Sequence, residues 1–139
     1  MGQQQLLLLV LGIVIVGLAV VVGIQAFGEN QKKANSDALV NDAVRIASDA
    51  QAWNLKPAAF GGGAGAFTGI SFEQLGYETS NNIYSNLNGK FQMSGVAAGT
   101  VTITGCDEQT NFDNQVVAVV TGTAPESITT TVSSAACGF

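Results

Sequence analysis

The sequence opens with an apolar run that constrains its fold more than any other feature. Leu6–Ile24 is 19 consecutive residues without a polar side chain, and fifteen of them are Leu, Ile or Val. As a helix this run spans about 28 Å, the thickness of a bilayer core. Exposing fifteen such side chains to water costs on the order of 20–45 kcal/mol, whereas a small domain is stable by only about 5–15 kcal/mol. The run must therefore be buried in lipid or against copies of itself.

The rest of the chain has a different composition, which excludes several functions. All of the charged side chains, 5 Lys or Arg and 10 Asp or Glu, follow residue 28, and the net charge is −5. This acidic balance argues against a nucleic-acid-binding surface. The chain has no histidine, the commonest general base and metal ligand. We therefore expect no enzymatic activity, no cofactor and no direct binding of nucleic acid.

Simpler interpretations of the apolar run differ in merit. A cleaved secretory signal needs a basic leader, but Met1–Gln5 carries no charged side chain. Myristoylation of Gly2 needs Ser or Thr where this chain has Leu6. A plain single-pass membrane anchor remains a serious alternative. Lys32 and Lys33 favour a cytoplasmic location for the end of the run that they follow, whereas the two cysteines favour export.

An amphipathic pattern follows the apolar run and predicts that the same helix continues. Its apolar positions are spaced four, three, four and three residues apart, as on one face of a helix: Leu39, Ala43, Ile46, Ala50 and Trp53. Pro57 and the glycines from Gly61 to Gly65 predict the helix end and a flexible linker or turn. The pattern predicts three segments: an apolar helix half (1–28), an amphipathic helix half (29–56) and a small sheet domain (57–139).

The third segment has the character of a short-stranded sheet. Four stretches have strand character: Lys90–Ser94, Thr100–Thr104, Gln115–Thr121 and Ser127–Ser133. The wholly apolar Val116–Val120 predicts a central strand covered on both faces, Ser71–Gln74 predicts a one-turn helix, and residues 80–88 predict a polar loop. Short connections favour an antiparallel meander. The expected fold is α+β, with the stripe from Leu39 to Trp53 packed on a four-stranded antiparallel sheet.

Two further groups of residues are candidates for chemistry. Cys106 and Cys137 bracket the last two predicted strands and predict either a disulfide, as expected of an exported protein, or two buried free thiols. The acidic cluster is a weak candidate for a calcium site, formed by the oxygen ligands of Asp107, Glu108, Asn111 and Asp113. It does not match a known calcium-loop motif, and a solvated loop is the better interpretation.

Taken together, these features resemble those of a type IV pilin or pseudopilin. The resemblance rests on the apolar first helix half, the amphipathic continuation, the glycine-marked loop, the four-stranded sheet and the cysteine pair near the C-terminus. It implies a filament subunit whose apolar helix halves bundle in the filament core, with an inner-membrane stage before assembly, and with copies of itself and the pilus assembly machinery as partners. The implied location is a cell-surface filament. The implied contact residues are Met1, Gln5, Leu6, Leu9, Ile13, Val16, Val20 and Ile24.

The chain departs from that family at its N-terminus. Gln3, Gln4 and Gln5 stand where the family has a glutamate before the apolar run. A glutamine accepts a hydrogen bond from a neighbouring amino terminus but carries no charge to neutralise it. We therefore expect Gln5 to act as an uncharged substitute for the acid. The alternatives are a pseudopilin of a secretion system and a membrane-anchored extracytoplasmic binding module.

Overall fold

A computed structural model describes residues 2–108 and 112–139, which form one long helix and one sheet. Helix α1 runs from Gly2 to Leu55, and six strands follow. They are β1 (Thr79–Ser80), β2 (Ile83–Ser85), β3 (Gly89–Ser94), β4 (Val101–Asp107), β5 (Asn114–Val120) and β6 (Ile128–Ser134). Short 3₁₀ turns lie at Ala58–Phe60 and Pro125–Ser127. The predicted α+β class is confirmed.

The chain divides into two compact units, Met1–Ala34 and Asn35–Phe139. The first unit includes the apolar part of α1, which stays helical through Gly12, Gly17 and Gly23, and the first few residues of the amphipathic part. The second unit contains the rest of the amphipathic part of α1, from Asn35 onward, and the whole sheet. Most of the amphipathic part therefore belongs to the same unit as the strands, because its apolar face supplies half of their core.

The sheet is an antiparallel meander in the order β1-β2-β3-β4-β5-β6. Phe91 of β3 faces Gly105 of β4, and Ile103 of β4 faces Ala118 of β5. Val116 of β5 faces Val132 of β6. Since side chains alternate between the two faces of a strand, these residues all lie on the face that packs against α1.

The core of the second unit lies between α1 and this face of the sheet. The five residues of the predicted helical stripe are all buried there, together with Ala47. The sheet contributes Phe91, Val101, Ile103, Val116, Ala118 and Val120. Phe67, Ile70 and Phe72, from the segment between helix and sheet, complete the same cluster.

The predicted number of strands is wrong, since the sheet has six strands and not four. The missed pair is the hairpin of β1 and β2, which falls at the start of the region expected to be a polar loop. Asn81 and Asn82 form its turn with φ angles of 54° and 62°. Asparagine tolerates this left-handed conformation, and two such residues in succession make the turn that matches the twist of a hairpin.

Two smaller expectations also need correction. Residues 72–76 form overlapping turns in place of a one-turn helix, with Gly76 closing them at a φ of 86°. β5 is covered fully on one face only, because buried and half-buried residues alternate along it. Val117 and Val119 are the half-buried ones. The prediction that β5 is covered on both faces is therefore wrong, since the face with Val117 and Val119 is only half-buried.

The glycine-rich connection is a turn that closes the end of α1. The Gly63 amide donates to the Trp53 carbonyl at 2.9 Å, and the Gly65 amide donates to the Asn54 carbonyl at 2.8 Å. These bonds satisfy carbonyls that the end of a helix leaves without partners. Gly63 itself leaves room for the Trp53 ring, since a Cβ at Gly63 would lie 2.6 Å from the Cζ3 atom of that ring.

Candidate functional site

The exposed apolar surface of the first unit is the candidate functional site. Every large apolar side chain from Leu6 to Ile24, and Phe27 after them, is 52–69% exposed. Among the residues that the structure describes, α1 is long and apolar enough to cross a membrane by length and composition, and none of its most apolar window is buried. The hydration of an apolar surface of this size is highly unfavourable. The surface must therefore be covered by lipid or by another apolar protein surface.

The predicted contact residues form one stripe on this surface. Leu6, Leu9, Ile13, Val16, Val20 and Ile24 recur every three or four residues and share one side of the helix. Their exposed fractions lie between 55% and 68%. Gln5 is also exposed. Met1 lies outside the described residues.

Three glycines lie among the large apolar residues of this surface. A Cβ at Gly12, Gly17 or Gly23 would meet no atom within 4 Å. Small residues let neighbouring helix backbones approach closely in an apolar environment. The first unit therefore combines large exposed apolar side chains with glycines that leave space beside them. Helices that pack against each other need both.

In the second unit, side chains of α1 form hydrogen bonds with the sheet and with loops at two places along the helix. Near residue 35, the Asn35 side chain donates to the Asn88 carbonyl at 3.1 Å and accepts from the Asn114 side chain at 3.2 Å. Near the helix end, the Gln51 amide donates to the carbonyls of Gly122 and Ala124 at 2.8 and 2.9 Å. These contacts could not be predicted from the sequence, because a single amide side chain on a helix gives no indication of which residue it will bond to.

Asp42 forms a third polar contact with the sheet unit. Its carboxylate accepts hydrogen bonds from the side chains of Asn86 at 2.9 Å and Asn88 at 2.7 Å. Asn86 also accepts from the backbone amides of Asn88 and Gly89, which closes the turn before β3. The asparagines of this region thus form hydrogen bonds that hold the helix against the sheet, and this explains why the region is polar.

Four aromatic rings line one end of the core beside an acidic side chain. The rings of Tyr77 and Tyr84 lie 4.7 Å apart, and those of Tyr84 and Phe91 lie 6.0 Å apart. Phe72 lies 6.1 Å from Tyr77 in an edge-on arrangement. The Tyr77 hydroxyl donates to the Asp49 carboxylate of α1. Burial, followed by this hydrogen bond and the Asp49 charge, raises the pKa of Tyr77 to about 12.

The two cysteines lie at disulfide distance on the sheet face that points away from α1. Their Cα atoms are 6.2 Å apart, and they are 31 positions apart in the chain. Cys106 shares its face with Thr102 and Thr104 by the alternation of β4. The Gln115 side chain donates to Cys137 Sγ at 3.5 Å. The segment after β6 therefore crosses this face of β5 to reach β4.

The acidic candidate residues are not brought together as a metal site. A cleft of about 310 Å³ beside the cysteines is lined by Lys90, Cys106, Asp107, Glu108, Asp113, Ala136, Cys137 and Phe139. Glu108 pairs with Lys90 there at 3.8 Å. Within residues 2–108 and 112–139, no three His, Cys, Asp or Glu side chains lie close enough to hold a metal ion. Asn111 lies outside the described residues.

Comparison of the chain with protein-family models, with curated proteins and with solved structures finds no match. The features of the chain that indicate a function are therefore its exposed apolar surface and the fold of its second unit.

Proposed function

We propose that this protein is the repeating structural subunit of a pilus-like filament at the cell surface, held together by bundling of its apolar helix halves. The observation that supports this proposal most directly is the uninterrupted exposure of large apolar side chains from Leu6 to Ile24. Burial of that surface against copies of itself removes a hydration cost on the order of 20–45 kcal/mol. The same surface suits a lipid environment before assembly.

The absence of charge on the first 28 residues supports bundling of identical helices. Copies of one helix bring the same positions close together, so a charged side chain would meet its own like charge in an apolar core. The first charged residue of the chain is Glu29. The stripe from Leu6 to Ile24 is the part of this surface that we assign to the closest contact between copies.

The N-terminal glutamines supply the polar end of this contact in our proposal. Gln5 is exposed and directly precedes Leu6. Its side-chain oxygen accepts a hydrogen bond from the amino terminus of a neighbouring copy, in place of an ion pair. Gln5→Leu should then lower the yield of filaments, whereas Gln5→Glu should retain it. Equal yields from Gln5→Leu and the native chain would contradict this role for Gln5.

In this proposal the protein passes through an inner-membrane stage and needs an assembly machinery to leave the bilayer. Its partners are then copies of itself, the lipid bilayer and that machinery. The sheet unit, which carries the net negative charge of the chain, would face the surrounding medium. The disulfide-distance cysteines are consistent with that location, because disulfides persist outside the reducing cytoplasm.

Electron microscopy of material sheared from the cell surface tests the proposal. We expect filaments that contain this chain, with the apolar segment protected from proteolysis. Recovery of the chain only from the membrane fraction, as single subunits, would overturn the proposal in favour of the membrane-anchored binding module. A short assembly that spans only a secretion complex would favour the pseudopilin alternative.

A matched pair of substitutions tests the contact stripe. Ile13 lies on the stripe, and Ile15 points about 200° away on the same helix; their exposed fractions are 64% and 57%. Tryptophan at either site keeps the segment apolar, so insertion into a membrane is retained. We expect Ile13→Trp to reduce filament yield at least tenfold and Ile15→Trp to reduce it much less. Equal loss from both variants would contradict the assignment of the stripe.

A further inference from the structure

The two edges of the sheet are very different. β1, at one edge, has two residues, Thr79–Ser80, whereas β6, at the other edge, has seven residues, Ile128–Ser134. β6 pairs along its full length with β5, from Ile128 opposite Val120 to Ser134 opposite Asn114. Within the described part of the chain, the sheet order ends at β6. A long strand at an edge presents backbone donors and acceptors that fit another strand.

β6 lacks the features by which proteins usually protect such an edge. Proteins blunt exposed edges with lysine, proline, glycine bulges or very short strands. Residues 128–134 contain no charged residue, no proline and no glycine. The six side chains after Ile128 are all exposed, and Val132 is 51% exposed. β6 is therefore an open edge of high strand propensity.

The charge distribution indicates what this edge can meet. The whole chain carries a net charge of −5, yet both β5 and β6 are uncharged. Two copies that approach through the charged surfaces of the second unit bring like charges together, whereas two copies that approach through β6 do not. β1 and β2 are also uncharged, but β6 is the longer of the two uncharged edges, so a second copy can pair along it with little electrostatic repulsion.

The segment after β6 leaves this edge accessible. From Ser134 the chain turns back across β5 to Cys137, which lies at disulfide distance from Cys106 of β4. Cys106 lies two strands inside the edge. The cysteine pair therefore holds the C-terminal segment over the face of the sheet and away from its edge.

We propose that β6 pairs with β6 of a second copy, in antiparallel orientation and with a two-fold axis at Thr131. This register places Thr129 opposite Ser133, Thr130 opposite Val132, and Thr131 opposite its own copy. Hydroxyl side chains face hydroxyl side chains, and Val132 packs beside a threonine methyl group. Such cross-strand pairs stabilise antiparallel strands, and no like charges oppose each other. The pairing uses all seven residues of the strand and joins the two sheets into one.

Cysteine cross-linking of the full chain in detergent micelles tests this register. Residues directly opposite in an antiparallel pair have Cα atoms about 4.5–5.5 Å apart, a separation that a disulfide can bridge. Thr131→Cys should cross-link to itself on mild oxidation. Thr129→Cys should cross-link poorly to itself and well when mixed with Ser133→Cys. Overturning results are a Thr131→Cys chain that stays monomeric, or a Thr129→Cys chain that cross-links to itself as strongly.

A charge variant with a matched control supplies a second measurement. Thr131→Lys places two ammonium groups opposite each other across the axis, and should weaken dimer formation at least tenfold by sedimentation. Ser94→Lys adds the same charge at an exposed position of β3, away from the edge, and should leave the dimer unchanged. Fluorescence of Trp53 verifies that both variants are folded. An intact dimer in Thr131→Lys would overturn the proposal.

The edge pairing and the helix bundling are tested separately. Filaments of the Thr131→Cys chain that contain no cross-link would overturn the edge pairing and leave the proposed bundling unaffected. Cross-linked dimers without filaments under assembly conditions would support the edge pairing and count against the bundling. The two proposals use different surfaces of the chain, so neither result depends on the other.

Discussion

The ring of Phe91 in β3 lies over the backbone of Gly105 in β4, and the two residues face each other across the strands. A Cβ at Gly105 would lie 2.5 Å from Cε1 and 2.7 Å from Cδ1 of that ring. Phe91 is fully buried. Gly105 therefore makes room for the largest side chain that β3 contributes to the core.

Gly105→Ala should destabilise the second unit by about 1–3 kcal/mol, the usual effect of overpacking a tight core. Denaturant unfolding of the chain in mild detergent measures this loss through the fluorescence of Trp53, the single tryptophan. Gly99→Ala is the control, since a Cβ there would meet no atom within 4 Å. It should change stability by less than about 0.5 kcal/mol. Equal effects of the two substitutions would contradict the assigned role of Gly105.

Leu39 and Leu87 provide a matched test of the helix–sheet core. Leu39 is fully buried against the backbone of Gly89, whereas Leu87 is fully exposed. Leu39→Ala should lower the free energy of unfolding by about 2–5 kcal/mol, because it leaves a cavity between α1 and the sheet. Leu87→Ala should change it by less than about 0.5 kcal/mol. The same denaturation experiment compares the two, and a small effect at Leu39 would mean that α1 does not pack there.

The hydrogen bond from Tyr77 to Asp49 predicts a pH dependence at the alkaline end. Because the pKa of Tyr77 is raised from 10.0 to about 12, the folded unit favours the neutral phenol. The stability that this provides is fully present below about pH 10 and is lost as the pH rises through about 12. Tyr77→Phe should lack this loss, although it lowers stability at neutral pH by about 1 kcal/mol.

Ultraviolet titration of tyrosinate absorbance, together with unfolding at each pH, measures both quantities. Asp49→Asn is a useful second variant, since it removes the charge and keeps a side chain that can accept a hydrogen bond. It should shift the Tyr77 titration to lower pH. A native chain and a Tyr77→Phe variant with identical alkaline stability curves would rule out this contribution.

Removal of the Cys106–Cys137 link should lower the free energy of unfolding by roughly 3–4 kcal/mol. Its separation of 31 residues gives this value in the chain-entropy description of a cross-link. Replacing both cysteines with serine makes the measurement without leaving a free thiol. A reducing agent should destabilise the native chain by a similar amount and leave the double variant unaffected. Equal stability of the native chain with and without reductant would contradict a contribution from the link.

The sequence predicted those parts of the fold that depend on local periodicity. The spacing from Leu39 to Trp53 marks a helical face, and the alternation in Thr100–Thr104 marks a half-buried strand. Both patterns repeat over several residues, so they can be recognised in the sequence without knowing which residues they pack against. The hairpin at Thr79–Ser80 and Ile83–Ser85 was missed because its strands are too short to show a period. Its only strong signal is the Asn81-Asn82 pair.

Long-range polar contacts were beyond the reach of sequence reasoning. Asp42 and Asn86 are 44 positions apart, and Gln51 and Gly122 are 71 apart. Each side chain by itself is indistinguishable from a solvated surface residue, because only the fold brings the partners together. The stripe from Leu6 to Ile24 could be predicted from the sequence, because the signal lies within one continuous segment. This segment contains so many large apolar residues that it requires an apolar covering, whatever the rest of the fold.

The alanines on the buried face of α1 have a consequence for the position of the helix along its own axis. Ala43, Ala47 and Ala50 are fully buried, and such small side chains oppose an axial displacement of α1 only weakly. A slip of one helical turn, about 5.4 Å, would displace the larger Leu39, Ile46 and Trp53 from the core that they share with these alanines. It would break the bonds of Asn35, Asp42 and Gln51 together. The amide and carboxylate contacts therefore fix the axial position of α1 on the sheet together with these large apolar residues.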